Sequence, residues 1–326
     1  MKAIKFFAIS AMAAAMITSC SSEDELSQSN YPSDNIVRVT AGVNNAKTRA
    51  EGAGTEMKND FSLTIVNKNA PKYTYTDKEF SKSSGDWACS ETLLWQNDKT
   101  PVDIVAFAPA QTGKFNGVYA EGSIQPITYS VASDQSTKSD NNDLLYYYAP
   151  GFNPGKSLDK GKLNIQFNHA FCMIDIVVTL GTEFNKPSIP TTSPIIKVTL
   201  GGTKIAANVD VTNAASVVTA SGEAAATDIT TTNGSFTTAA NAEANAISRF
   251  SCIAIPQTVA ANTFKVSLMT AGKRYEWTSA EPVELKSGYR YTLKLSMGND
   301  VVLLKGGSIS ATPWTEITSD KPLETD

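Results

Sequence analysis

The longest strand-like stretch of the chain runs from Leu163 to Leu180 and reads LNIQFNHAFCMIDIVVTL. Its first half alternates apolar Leu163, Ile165 and Phe167 with polar residues, the period of two that is typical of a strand with one buried face. Its second half, from Met173 onward, is mostly apolar and rich in β-branched residues, which indicates a strand covered on both faces. We expect this stretch to form the last core strands of an N-terminal β-sandwich.

Short runs of β-branched and aromatic residues recur along the rest of the chain, bounded by Gly, Pro, Asn or Ser. No segment longer than a turn or two shows helical periodicity, so this spacing predicts an all-β sandwich architecture. We expect Pro109 and Pro150 to end their strands, because proline cannot donate to a ladder. The candidate strands cover residues 35–43, 61–66, 72–76, 92–95, 102–109, 144–150, 195–202, 205–211, 216–221, 247–256, 263–269, 275–279, 289–297 and 301–316, the last as two short strands around Gly306-Gly307.

The segment after Leu180 reads GTEFNKPSIPTTSP and contains three prolines without any periodicity. We interpret it as a boundary between two domains. The chain has 326 residues, of which 41% are hydrophobic, so it can supply a core for each domain.

The first 19 residues have the pattern of a secretory signal. Lys2 and Lys5 precede an apolar run from residue 6 to 16 that is too short to span a membrane, and small residues follow. The signal ends in Ile17-Thr18-Ser19-Cys20, which resembles the lipobox of bacterial lipoproteins, in which the cysteine is acylated and becomes the first mature residue. Ordinary cleavage nearby, with Cys20 left as a free thiol, is the alternative.

Charge and cysteine spacing exclude several functional classes. Lys and Arg number 28 against 32 Asp and Glu, and no basic cluster stands out, so nucleic acid is not an expected partner. The four cysteines, Cys20, Cys89, Cys172 and Cys252, are far apart and form no CxxC pair. This spacing does not fit a metal or redox motif, and we expect no cofactor or metal and small buried roles for Cys89 and Cys172.

Partial motifs do not support catalysis. The only histidine, His169, has no GxSxG serine to work with, so we interpret it as a structural hydrogen-bonding residue. Residues 151–157 are one residue short of a phosphate loop, and the acidic interval 131–143 lacks the calcium-loop pattern. We therefore expect no enzyme and interpret these segments as a hairpin connection and a surface loop.

The aromatic residues could either form a carbohydrate-binding surface or pack into the core. Their spacing, two residues apart or beside turns, is also what core strands produce, so packing is the favoured interpretation. The residues concerned are Trp87, Trp95, Tyr146, Tyr147, Tyr148, Trp277, Tyr289, Tyr291 and Trp314.

The first candidate strand leads into a segment that a protease could reach. Residues 35–43 are followed by the polar, basic sequence NNAKTRA at 44–50. An exposed segment of small and basic residues is a good protease substrate because it can unfold locally at a low cost in free energy.

Taken together, a set of short motifs in this order resembles the fimbrillin-like lipoproteins, the subunits of type V pili. Each motif alone is weak, but their order and spacing span nearly the whole chain. The motifs are Cys20 after Ile17-Thr18-Ser19, Lys47-Thr48-Arg49-Ala50, Trp95 followed by residues 101–109 (PVDIVAFAP), 143–146 (DLLY), 167–170 (FNHA), Tyr289-Arg290-Tyr291 and the segment from Ile309 to Trp314.

The resemblance implies two tandem transthyretin-like β-sandwich domains in a lipoprotein exported to the cell surface. There an arginine-specific protease would remove an N-terminal strand, and a neighbour's C-terminal strand would fill the vacated groove by β-augmentation. Carried over to this chain, Ile36 to Val43 would be the removed strand and Arg49-Ala50 the scissile bond. The donor strand would lie within residues 301–316, and its candidate plugging side chains are Val302, Leu304, Ile309 and Trp314.

The predicted organisation is a lipoprotein signal peptide at 1–19, a tether and removable strand at 20–49, an N-terminal domain at 50–182 and a C-terminal domain at 183–326. The expected partners are other fimbrial subunits, the outer membrane through a lipid on Cys20, the protease, and surface ligands of host or bacterial cells. The polar tail after Trp314 is short and Gly306-Gly307 interrupts the donor segment, so a tip or anchor subunit is an alternative. A glycan-binding surface lipoprotein is a second alternative.

Overall fold

The computed structural model describes residues 30–44, 55–57, 59–298 and 305–314 of the 326-residue chain. Five of the predicted site residues lie outside the described residues: Cys20, Arg49, Ala50, Val302 and Leu304.

The described residues form strands and single helical turns. The strands of the first half are β1 (Val39–Val43), β2 (Thr55–Glu56), β3 (Phe61–Val66), β4 (Tyr75–Ser83), β5 (Asp86–Cys89), β6 (Val102–Ala108), β7 (Tyr119–Ala120), β8 (Ser123–Ile124), β9 (Ile127–Ser130), β10 (Leu145–Phe152), β11 (Leu163–His169) and β12 (Cys172–Leu180). Those of the second half are β13 (Ile195–Gly201), β14 (Ala206–Val209), β15 (Val218–Ala220), β16 (Ile229–Thr230), β17 (Thr232–Thr237), β18 (Ala246–Ala254), β19 (Gln257–Val259), β20 (Lys265–Thr270), β21 (Arg274–Thr278), β22 (Val283–Leu285), β23 (Tyr289–Met297) and β24 (Lys305–Pro313).

The helical segments are α1 (Pro154–Ser157) and the 3-10 turns Pro71–Tyr73, Asn116–Val118, Asp140–Asn142 and Thr182–Asn185. Within the described ranges, none of these helices is long and apolar enough to cross a membrane. For the described residues, the prediction of a mostly β protein is confirmed.

The N-terminal half builds an eight-stranded sheet in the order β2-β1-β11-β10-β6-β3-β4-β5. Its strand β6 pairs antiparallel with β3 on one side and β10 on the other. Because side chains alternate along a strand, Ile104 and Ala106 point into a first core, built from residues between Val37 and Phe167, whereas Val105 and Phe107 point into a second core. The sheet is therefore covered on both faces at its centre.

The second core lies mainly between sheets of the C-terminal half. A five-stranded sheet has the order β17-β18-β12-β23-β24, and a four-stranded sheet has the order β16-β13-β20-β21. Inward side chains of both sheets, such as Ile176, Leu293, Leu200 and Leu268, belong to the same buried cluster, as in a β-sandwich. Strand β9 pairs with β14, so a strand of the first half takes part in this packing.

The prediction for the central stretch from Leu163 to Leu180 is correct in its strands and wrong in its placement of the second one. Strand β11 joins the N-terminal sheet, whereas β12 pairs with β18 and β23. A period of two reports which face of a strand is buried and not which sheet it enters. Moreover, β12 buries one face fully and the other only half; on that second face Asp175 forms an ion pair with Arg290 of β23.

Pro150 and the Gly306-Gly307 pair also behave differently from expectation. Pro150 lies within β10, at a register shift between Ala149 and Phe152 where it needs no ladder hydrogen bond. The Gly306-Gly307 pair lies inside one described strand, β24, at a register shift in its pairing with β23.

Candidate assembly site

Strand β1 and the residues just before it contribute a row of buried side chains to the first core. Val37, Val39 and Val43 are 6%, 4% and 3% exposed, while Arg38 and Thr40 between them face solvent. This alternation follows the period of a strand with one buried face. The predicted removable strand is therefore an integral part of the N-terminal sheet.

Backbone hydrogen bonds hold this segment along its length. Strand β1 runs parallel to β11, with Val39 opposite Leu163 and Val43 opposite Phe167. The N–H of Leu163 donates to the carbonyl of Arg38 at 2.8 Å, and that of Asn44 donates to the carbonyl of Phe167 at 2.7 Å. The Asn44 side chain adds a 2.8 Å hydrogen bond to the Oδ1 atom of Asn168.

An exposed ion pair lies at the start of the same segment. Arg38 donates to both carboxylate oxygens of Asp34, at 2.9 and 2.5 Å. These hydrogen bonds lower the pKa of Asp34 to about 2. Because both groups face solvent, water and salt screen the pair, and the buried valines dominate the hold on the strand.

The chain leaves β1 at Asn44 and returns as β2, whose Thr55 and Glu56 lie opposite Val43 and Gly42. The predicted scissile bond, Arg49-Ala50, falls in the intervening residues 45–54, outside the described residues.

Strand β24 lies at the edge of the five-stranded sheet. It pairs antiparallel with β23, with Ile309 opposite Leu293 and Pro313 opposite Tyr289. Ile309 is half-buried and packs against the second core. The other side chains described between Ser308 and Pro313 are exposed, so the strand is bound mainly through its backbone.

The chain after β24 ends its described part at a buried aromatic residue. Trp314 is 8% exposed, and its N–H donates to the carbonyl of Gly288 at 2.7 Å. Its indole ring stacks on the imidazole of His169, with ring centroids 3.8 Å apart. The Nδ1 atom of His169 hydrogen-bonds to Oδ2 of Asp143 at 2.9 Å, so a hydrogen-bonding role for this histidine is confirmed.

The sequence prediction included Trp314 and Ile309 but missed the contact between Trp314 and His169. A signal was available, because residues 167–170 and 309–314 are two of the motifs that carry the family resemblance. The spacing of those motifs along the chain does not reveal that they meet in space.

The cysteines agree with expectation in part. Cys172 and Cys252 are buried free thiols, and burial raises the pKa of both, that of Cys252 to about 12. Cys89 is only half-buried, because it lies on β5 at the edge of the N-terminal sheet, where a neighbouring strand is absent on one side.

The other candidate ligand residues are the aromatic side chains and possible metal ligands. Trp95, Tyr291 and Trp314 are buried and the other six aromatic candidates are half-buried, as expected for packing residues. In the described part of the chain, no group of His, Cys, Asp or Glu is placed to hold a metal ion.

The fold and this site define a β-rich structural protein in which β1, near the N-terminus, completes the first core and β24 lies at a sheet edge. Residues 48–314 match the fimbrillin-like family, and the chain belongs to that family. It is accordingly a fimbrial protein of the cell surface and not an enzyme. Among curated proteins, none matches this sequence.

Solved structures share the fold at low sequence identity. A candidate cell adhesion protein of Bacteroides ovatus has a TM-score of 0.60 at 15% identity, with 87% of this chain and 99% of that chain covered. One of Bacteroides uniformis has a TM-score of 0.57 at 15% identity, with 87% and 100% covered. A fimbrial protein of Bacteroides vulgatus has a TM-score of 0.55 at 15% identity, with 86% and 99% covered. At this identity the similarity establishes the fold alone.

Proposed function

We propose that this chain is a subunit of a type V fimbrium that polymerises with other subunits by strand exchange and supports adhesion to host or bacterial surfaces. The observation that carries the proposal is the position of β1. Its buried valines fill one edge of the first core, and its C-terminal end leads directly into the segment that holds Arg49.

Removal of the segment up to Arg49 would open an apolar groove beside β11. Val37, Val39 and Val43 would leave together with the backbone partners of Leu163 and Phe167. Fully burying one such side chain stabilises a protein by roughly 1.5–3 kcal/mol, so an empty groove would favour any strand that restores the contacts. A neighbour's strand can do so through main-chain hydrogen bonds and alternate apolar side chains.

The donor in this proposal is the C-terminal segment 301–316. In the free subunit its described part is an edge strand that contacts only β23 through its backbone, which makes its release less costly than that of a central strand. Ile309 and Trp314 supply apolar side chains for the groove, together with Val302 and Leu304 from outside the described residues.

Export and processing complete the proposal. Lipidation of Cys20 would hold the precursor in the outer membrane, and an arginine-specific surface protease would cut between Arg49 and Ala50. The supporting features are the lipobox sequence and the return of the chain to β1 at Thr55, which brackets the proposed cleavage site within residues 45–54.

We further propose that the chain is built as two tandem transthyretin-like units, predicted at 50–182 and 183–326. The two buried clusters support two units. The pairing of β12 with β18 and β23 favours starting the second unit at Ala170, before β12.

The test is the N-terminal sequence of the protein recovered from sheared fimbriae and from the membrane. The proposal predicts Ala50 as the first residue of the polymerised form. A lipidated Cys20 as the only N-terminus in both fractions would contradict the shaft role and indicate an anchor.

A further inference from the structure

The end of β1 and the end of β24 are attached to adjacent residues of one strand. Asn44 binds the carbonyl of Phe167 and the side chain of Asn168, as described above, and Trp314 stacks on the next residue, His169. The strand that is proposed to leave and the strand that is proposed to be donated therefore meet at the C-terminal end of β11.

We infer that His169, oriented by Asp143, and the carbonyl of Gly288 form a binding site for the ring and the backbone N–H of Trp314 that holds the C-terminal strand on its own subunit, and that occupancy of β1 keeps this site formed. The inference builds on the proposed function, because it describes how the donor strand is retained before exchange.

Trp314 is the main side-chain anchor of the C-terminal segment. Between Ser308 and Trp314 it is the only described residue that is fully buried, and only Ile309 among the others is half-buried. Without the indole, the segment would keep its hydrogen bonds to β23, but Ile309 would provide its main remaining apolar contact. Edge strands of this kind open by local unfolding at low cost.

The site contains buried polar atoms that favour release of Trp314. The ring of His169 is held by one hydrogen bond to Asp143 and by the stack on Trp314, while its Nε2 atom and the Oδ1 atom of Asp143 have no hydrogen-bond partner among the described residues. Buried polar atoms without protein partners are costly, which lowers the stability of the closed site. This cost partly offsets the stabilisation that the stack of Trp314 on His169 provides.

Strand β1 supports the site through β11. His169 is the last residue of β11, and Leu145 of β10 flanks it on one side. On the other side the last backbone bond of β1 reaches Phe167, two residues away. Loss of β1 would leave the end of β11 paired on a single side, so that His169 could move and Trp314 would lose its stacking partner.

The junction around the site is otherwise well connected. Ser287 donates from its hydroxyl to the carbonyl of Ala170 at 2.8 Å, and the N–H of Gly288 donates to the carbonyl of Phe171 at 2.9 Å. These bonds do not involve β1 or β24. Their persistence in a variant would show that the change is confined to the Trp314 site.

The experiment is amide hydrogen exchange of the unassembled full chain, read at residues 308–312 and, as a reference for global stability, at β12. We expect Trp314→Ala to accelerate exchange at 308–312 by about tenfold or more while β12 keeps its protection. Trp314→Phe retains an aromatic ring on His169 and should show a smaller increase, and Ser310→Ala, on the same strand but exposed, should show none.

The link to β1 is tested with two matched valine variants. Val43→Ala loses packing beside Phe167, and Val39→Ala loses equivalent packing beside Leu163, at the far end of β11. We expect only Val43→Ala to accelerate exchange at 308–312. Equal acceleration by both variants, or unchanged exchange in Trp314→Ala, would overturn the inference. Because the measurement uses monomers, it can fail while polymerisation by strand exchange still holds.

Discussion

The indole of Trp314 and the imidazole of His169 lie almost parallel, with 11° between their planes and 3.8 Å between their centroids. This stack joins the last described residue of the C-terminal segment to the last residue of β11 in the N-terminal sheet. The two halves of the chain thus meet where the elements proposed for assembly end.

Arg49→Ala should abolish polymer formation on cells, because the proposed protease recognises arginine at the cleaved bond. The measurement is the ladder of polymers in unheated samples of surface protein. Lys47→Ala changes a nearby basic residue of the same segment and should leave the ladder intact. A normal ladder from Arg49→Ala would count against processing at this bond.

Ile309→Asp should strongly reduce polymerisation, since the donated strand would bring a charge into the apolar groove. Ser310→Asp places the same charge on the opposite face of β24, where the side chain is exposed, and is the matched control. Polymer yield on cells is again the measurement. If both variants assemble equally well, this part of the C-terminal segment is not the donor.

Ile176→Ala should lower the free energy of unfolding by about 2–5 kcal/mol, because it empties space in the second core around a fully buried side chain. Ile196→Ala removes the same atoms from a side chain that is 58% exposed and should change it by less than about 0.5 kcal/mol. Urea denaturation of both variants provides the comparison. Similar losses would contradict the placement of β12 in a closed core.

Thiol reagents should modify Cys89 in the native protein well before Cys172 and Cys252. The thiolate is the reactive form, and burial raises the pKa of both of the slower thiols above the ordinary value of 9.0. Mass spectrometry of partly labelled protein gives the order of modification. In protein that lacks Cys20 or has it blocked, Cys89→Ser should remove the early phase, and rapid labelling of Cys252 in that variant would refute its buried position.

The same shift predicts a loss of stability at alkaline pH. The pKa of Cys252 is raised to about 12 in the folded protein, so its contribution is fully present below about pH 9 and falls as the pH rises toward 12, since only the unfolded chain then releases the proton. Cys252→Ala should therefore show a shallower decline between about pH 9 and 11 in denaturation experiments. An unchanged slope would contradict the raised pKa.

Local patterns were sufficient to predict many strands. The candidates at 61–66 and 289–297 coincide with β3 and β23, because each has alternating or β-branched residues between clear turn signals. The prediction was poorer at 72–76, which begins in a 3-10 turn, and at 92–95, where Leu94 makes only an isolated bridge to Ile36. Turn geometry and pairing partners outweigh strand propensity in such short runs.

By itself the sequence determined the all-β class, the burial of alternate residues such as Val37 and Val39, and, through its motifs, the fimbrillin-like family. Only the tertiary structure decided that β12 joins β18 and β23, that β1 runs parallel to β11, and that Trp314 reaches His169. The physical reason is that side-chain periodicity is a property of one segment, whereas hydrogen-bonded pairing and ring stacking depend on which distant segments the folded chain brings together.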